Sequence, residues 1–166
     1  PGDRIEPVIA RLGGTIRYLD RVSSLDGQAF DAPDGQAFDS PSGQDHLKYV
    51  SPLVDGSLLV RGPNDFEIFL SAYTGIERDR FTIAHELGHY VLHSDFGRIQ
   101  IRAARLGSTR IEWEANWFAA AFLMPREDFT EAFRKYAGQV RALASRYVVS
   151  PKAAQVRAQS LGLIGV

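Results

Sequence analysis

The sequence contains no cysteine among its 166 residues. This absence excludes disulfide bonds, cysteine nucleophiles and thiolate ligands, so any metal ion has to be held by histidine and carboxylate side chains. A chain without cysteine suits the reducing cytoplasm, and we expect the protein there. Long apolar runs are also lacking, because no stretch approaches the roughly 20 apolar residues that cross a bilayer. The sequence therefore predicts no association with a membrane.

An excess of charge of either sign is lacking as well. The 19 lysines and arginines nearly balance the 20 aspartates and glutamates, for a net charge of −1. The chain as a whole therefore has no electrostatic attraction to nucleic acid. With 45% apolar and 23% charged residues, its composition is that of an ordinary globular protein. The length fits one domain with a hydrophobic core, and we interpret residues 1–166 as a single domain.

Residues 26–44 hold a direct repeat with a period of eight, in which DGQAFDAP is followed by DGQAFDSP and a decayed SGQD. Three copies of eight residues are too short for a solenoid. Gly, Pro, Asp and Ser at fixed offsets predict turns. We interpret the segment as a duplicated surface loop, and the alternative is a flap that contacts a partner or substrate.

Short strands and turns are predicted in the first half of the chain. Pro7 can start a short helix that Gly13 ends, and residues 15–19 then alternate as a strand does. Three further strand-like runs are Leu47–Val50, Ser57–Val60 and Phe66–Leu70. Turn signals separate them, at Asp55-Gly56 and Gly62-Pro63. Such a small sheet needs an element that covers one face.

Helical spacing dominates the second half. A helix is predicted over Arg80–His93, with Thr82 as its cap, and another over residues 111–124, where Pro125 stops it. Further predicted helices are Arg126–Tyr136, Gln139–Tyr147 and Pro151–Leu161, the last of them capped by Ser150. The order of elements predicts an α+β fold. In this fold a small antiparallel or mixed β-sheet packs against a helical core, with additional C-terminal helices.

The segment His85-Glu86-Leu87-Gly88-His89 carries the chemistry. Positions i and i+4 lie on the same helix face, so His85 and His89 can offer imidazole nitrogens to one metal ion. Glu86 points to the side, where it can take a proton from a water molecule that zinc activates and return it to the leaving nitrogen. Spacing and residue types predict a zinc-dependent peptidase.

A catalytic zinc needs a third protein ligand and an open fourth position. Outside the motif the chain has two histidines, His46 and His93. His93 lies two turns beyond His85, about 12 Å along the helix axis, so it does not readily share that metal. We interpret His93 as a helix-end cap or a substrate contact, and His46 lies too far upstream to place.

A carboxylate from the next helix is the remaining candidate. Glu112 and Glu114 point to different faces, so at most one of them should meet the metal. Glu112 precedes Asn116 by one turn on the same face, and Asn116 could hydrogen-bond a histidine ligand and select its tautomer. Glu114 has no such partner in the pattern. We therefore choose Glu112, with Glu114 as the alternative.

Two strings of the sequence resemble the ImmA/IrrE family of metallo-endopeptidases: RDRFTIAHELGHYVLH at 78–93 and EWEANWFAAAFLMP at 112–125. The tail at 143–164 resembles it more weakly. The resemblance implies a gluzincin-like site, with His85 and His89 as zinc ligands, Glu86 as general base and Glu112 as third ligand. It also implies a cytoplasmic enzyme of phage, mobile-element or stress-response systems. Its usual protein substrate is a helix-turn-helix repressor. Another divalent metal could replace zinc in the cell, and the repeat at 26–44 is not part of the family pattern.

A binding module is the alternative function. Residues 138–166 contain Arg141, Arg146, Lys152 and Arg157 but no acid, and their pattern is similar to a helix-turn-helix that binds DNA or docks a repressor. We favour two short helices that pack on the core, because the total charge is near neutral. A non-proteolytic regulatory role with structural zinc is disfavoured, since such sites have four protein ligands that mostly include cysteine. The aromatic run Trp113, Trp117, Phe118 and Phe122 is predicted to be core packing.

Overall fold

The computed structural model describes residues 4–19, 49–50, 56–71, 74–97 and 108–165. The octapeptide repeat at 26–44 lies outside these residues, as do His46, Asp55 and the start of the strand predicted at Leu47–Val50.

A short helix and a strand open the described chain, as predicted. Helix α1 spans Glu6–Arg11, with Pro7 in its first turn, where the missing N–H of proline costs nothing. Strand β1 follows at Gly14–Leu19. Gly13 between them has a φ of 81°, and a Cβ there would overlap the backbone carbonyl of Asn64. Glycine is therefore required both by the turn and by this close approach.

The described strands form a mixed sheet in the order β1-β4-β3-β2. Strands β2, β3 and β4 span Tyr49–Val50, Gly56–Gly62 and Asp65–Ser71. Strand β4 pairs parallel with β1 and antiparallel with β3. The β3–β4 hairpin turns at Pro63 and Asn64, next to the predicted Gly62-Pro63 turn. This mixed sheet with its helices confirms the predicted α+β class.

Helix α2 carries the HExxH motif and spans Ile76–His93. It begins one turn before the predicted start, and Gly75, with a φ of 91°, is its N-cap residue. The prediction of Thr82 as the cap was wrong, since Thr82 lies inside the helix. Its methyl group occupies the space that a Cβ at Gly56 would need, so α2 passes close to strand β3. Acidic residues in the first turn of α2 complement the helix dipole.

Helix α3 spans Ser108–Leu123 and packs along α2. A Cβ at Gly88 would lie 3.1 Å from a ring carbon of Phe118 and 3.2 Å from the Cα of Ala115. The two helices are therefore close to each other at the centre of the motif. Helices α4, α5 and α6 follow, at Arg126–Lys135, Val140–Tyr147 and Pro151–Ser160. The hydroxyl of Ser150 accepts a hydrogen bond from the N–H of Ala153 at 3.1 Å, which confirms the predicted cap of α6.

One hydrophobic core joins the sheet to the helices. It contains side chains of β3 and β4, of α2, and of the last helices, among them Leu58, Ile68, Leu87, Phe129, Leu143, Tyr147 and Ala158. The C-terminal helices thus pack on the core, as we favoured. The prediction that the whole aromatic run is core packing was wrong, because Trp113 and Trp117 are 57% and 56% exposed. Helical spacing does not reveal which face of α3 meets the body.

Candidate metal centre

Two imidazoles and a carboxylate converge between α2 and α3. The Nε2 atoms of His85 and His89 lie 3.0 Å apart. One carboxylate oxygen of Glu112 lies 3.1 Å from Nε2 of His85, and the other lies 3.3 Å from Nε2 of His89. One ligand atom from each of the three residues can be chosen so that all lie within 4.8 Å of one another. The structure therefore brings together three residues that the sequence singled out from two separate helices.

The far side of the His85 ring contacts Asn116. The amide oxygen of Asn116 lies 3.0 Å from Nδ1 of His85. An amide oxygen only accepts hydrogen bonds, so this contact places a proton on Nδ1 and leaves the lone pair of Nε2 facing the centre. A contact between Asn116 and a histidine of the motif is what the sequence predicted.

The far side of the His89 ring contacts His93, one turn further along α2. Their Nδ1 atoms lie 3.0 Å apart, and Nε2 of His93 lies 3.2 Å from a carboxylate oxygen of Glu114. The Nε of Arg110 donates to the other oxygen of Glu114 at 2.8 Å. In the tautomer of His93 that donates from Nε2 to Glu114, Nδ1 of His93 accepts from Nδ1 of His89. The lone pair of His89 Nε2 therefore also faces the centre.

This chain of contacts differs from two expectations. Glu114 was the alternative third metal ligand, whereas in the structure it binds both His93 and Arg110. It contacts His93 and lies outside the cluster of candidate metal ligands. His93 was expected to cap the helix or meet substrate, whereas it joins Glu114 to His89. The i,i+4 spacing of His89 and His93, the same as that of His85 and His89, was the signal that could have revealed it.

Burial controls the electrostatics of the motif. Burial and, to a smaller extent, the nearby negative charge of Glu112 together raise the pKa of Glu86 to about 8. Within the described part of the chain, neither carboxylate oxygen of Glu86 has a hydrogen-bond partner. Burial and, to a smaller extent, the neighbouring His85 and His93 together lower the pKa of His89 to about 3. His89 is therefore a neutral imidazole near pH 7, the form that binds metals.

These residues fit a divalent cation. Two unprotonated ring nitrogens and a carboxylate lie within 3.0–3.3 Å of one another, and all of them are hydrogen-bond acceptors. The lone pairs of these acceptors repel one another, and a cation at their centre would replace the repulsion with coordination. Two imidazole nitrogens and a carboxylate oxygen are ligands that zinc accepts. The buried carboxylate of Glu86 beside them, which no described residue hydrogen-bonds, is suited to a reacting water molecule.

Two of the four C-terminal cations are already engaged within the protein. A guanidinium nitrogen of Arg146 lies 3.0 Å from a carboxylate oxygen of Asp128. Arg157 donates from Nε to the backbone carbonyl of Met124 at 3.0 Å. These contacts leave fewer cations for DNA phosphates than the sequence pattern implied.

Fold and site together define a class of protein, the metallopeptidases with an HExxH helix beside a small sheet. The sequence matches the model of the IrrE N-terminal-like domain, Peptidase_M78, over residues 55–159. This match covers more than half of the chain, which therefore belongs to that family, as the resemblance of residues 78–93 and 112–125 indicated. No curated protein shows significant similarity to the chain. Within the described residues, no helix has the length and apolar character of a membrane span.

Proposed function

We propose that this protein is a zinc-dependent endopeptidase. His85, His89 and Glu112 hold the metal, and Glu86 acts as general base. The observation that carries the proposal is the convergence of two Nε2 lone pairs and a carboxylate beside a buried carboxylate without a described hydrogen-bond partner. Three protein ligands leave one coordination position for substrate, as in catalytic rather than structural zinc sites.

The protein's own groups then have separate tasks. The metal, when bound, would polarise the scissile carbonyl and lower the pKa of a water molecule. Glu86 takes the proton of the attacking water and delivers it to the leaving nitrogen. Its burial makes it a stronger proton acceptor, while positive charge at the centre would keep it ionised before the reaction. The negative charge of Glu112, as a ligand, would be offset by the bound metal.

The contacts behind the two histidines position them. Asn116 holds the proton of His85 on Nδ1, and the chain from Arg110 through Glu114 and His93 does the same for His89. Both rings thereby present Nε2 to the metal in fixed orientations. Such outer contacts typically change metal affinity by about 10–100-fold.

The substrate we propose is a helix-turn-helix transcriptional repressor, cleaved at one site in the cytoplasm. Membership in the IrrE-like peptidase family supports this choice. Cleavage of a repressor releases the genes that it controls, which suits stress-response, phage or mobile-element regulation.

The test is an incubation of the protein with the repressor encoded beside its gene. We expect a single cleavage that requires zinc, stops on addition of a chelator, and is lost in Glu86→Gln although that variant still binds the metal. Glu131→Gln, an exposed carboxylate on α4, is the matched control and should cleave normally. Cleavage by the Glu86→Gln variant would contradict the proposed mechanism. A repressor that stays intact under all conditions would exclude this substrate.

A further inference from the structure

A large open groove lies beside the candidate metal centre. It runs between the start of α2, one face of α3 and the length of α6, and has a volume of about 1120 Å³. Small-molecule sites usually have volumes of about 300–1000 Å³. The groove is therefore large enough for several residues of a polypeptide.

The groove borders the residues that surround the metal centre. Asn116 lines it, and the same side chain contacts Nδ1 of His85. On α2, the lining residues Arg78 and Phe81 precede His85 by seven and four positions. These spacings place the three residues along one helix face. A polypeptide lying in the groove would therefore pass close to the ligand His85.

Apolar side chains in the groove are unusually exposed. Ile76 is 75% exposed, Trp113 57%, Trp117 56% and Val156 46%, and all four line the groove. The two tryptophan rings lie against each other, with centroids 4.3 Å apart. Contiguous exposed apolar surface of this kind marks binding sites in monomeric proteins.

The charge of the lining is positive. Four cations, Arg78, Arg126, Lys152 and Arg157, face one carboxylate, that of Glu77. Arg126 and Lys152 form no ion pair within the described residues. First-turn residues of α2, α4 and α6 also line the groove, so the positive partial charge of three helix N-termini lies at its wall. Since the whole chain carries a net charge of −1, this is a local concentration of positive charge.

We infer that this groove binds an extended segment of the protein substrate in which acidic residues alternate with apolar ones, on one side of the scissile bond. The inference rests on the proposed peptidase function and names the substrate class of that site. Acidic side chains would meet Arg126 and Lys152, and apolar ones would cover the tryptophans. A nucleic acid fits less well, because it has no aliphatic groups that would cover Ile76 and Val156.

The experiment uses the intrinsic fluorescence of the full-length, zinc-loaded Glu86→Gln variant. Both tryptophans of the chain line the groove, so their fluorescence responds to a peptide bound there, and the charge reversals below assign the response to the groove. Three 12-residue peptides without tryptophan or tyrosine are titrated: one alternating Asp or Glu with Leu or Val, one with Lys in place of the acids, and one with Ser in place of the apolar residues. We expect saturable binding of the first, and at least about tenfold weaker binding of the other two.

Charge reversal locates the binding. Arg126→Glu combined with Lys152→Glu should weaken binding of the acidic peptide about tenfold, since two attractions become repulsions. Arg141→Glu reverses an exposed cation that does not line the groove, and it should bind like the parent. Equal affinity for the three peptides, or no response to the double reversal, would overturn the inference.

Other occupants would give their own results. Tighter binding of a single-stranded oligonucleotide than of the acidic peptide would overturn the inference in favour of nucleic acid. Self-association in sedimentation that Lys152→Glu abolishes would overturn it in favour of a second copy. Because binding is measured without cleavage, it separates the two proposals. If the protein binds the acidic peptide but cleaves no substrate, only the proposed peptidase function is wrong. If it cleaves its substrate but does not prefer the acidic peptide, only the inference about the groove is wrong.

Discussion

Replacing His93 with phenylalanine tests how His89 is held. The substitution removes the acceptor 3.0 Å from Nδ1 of His89 and also the contact of 3.2 Å to Glu114. Because the His93 side chain is only 8% exposed, water does not readily replace these partners. Losing an outer partner of a metal-binding histidine costs about 10–100-fold in affinity, or about 1.4–2.7 kcal/mol. We expect zinc binding to weaken by this factor.

The assay is competition for zinc with a chromophoric chelator at a constant pH. His93→Gln is the informative second variant, because its amide oxygen can accept the Nδ1 proton of His89 and should restore part of the affinity. Leu92→Ala removes an exposed neighbour on the same turn and should bind zinc normally. Thermal unfolding of the metal-free proteins verifies that all of them fold. Zinc affinity within twofold of the parent in folded His93→Phe would refute the reasoning.

Two further predictions concern the fold. In Gly88→Ala the new Cβ would lie 3.1 Å from a ring carbon of Phe118 and 3.2 Å from the backbone of Ala115. Overpacking of α2 against α3 costs about 1–3 kcal/mol and the helix propensity of alanine returns about 1 kcal/mol, so we expect a net loss of up to about 2 kcal/mol in denaturant unfolding. Gly62→Ala, whose new Cβ would meet no described atom within 4 Å, is the control. The Tyr147 hydroxyl, and secondarily Arg146, hold the pKa of Asp128 below its usual value. Such a carboxylate stabilises the fold at pH values above its unfolded pKa, and this stabilisation is lost as the pH falls through its folded pKa. Asp128→Asn should therefore lower Tm at pH 7, and the Tm of the variant should fall less than that of the parent below about pH 4. An unchanged decline in the variant would contradict this assignment.

The motif helix was predictable because its information is local. The i,i+4 spacing of His85 and His89 requires only that the segment be helical, and the surrounding apolar periodicity indicated a helix. Helical spacing also placed Glu112 and Glu114 on different faces of the next helix, so that only one of them could reach the metal. The start of the helix was missed by one turn, because Thr82 has the side chain of a good cap, whereas Gly75, with its positive φ, occupies the cap position.

The sequence by itself thus determined the class of chemistry, since motif spacing, the absence of cysteine and a second carboxylate-bearing helix are all contained in the chain. Only the tertiary structure decided how α3 is rotated against α2. That rotation brings Glu114 to His93 and leaves Trp113 and Trp117 exposed in a groove. The periodicity of a helix specifies which residues share a face but not what that face meets. Packing between distant segments, at contacts such as Gly88 against Ala115, supplies that information.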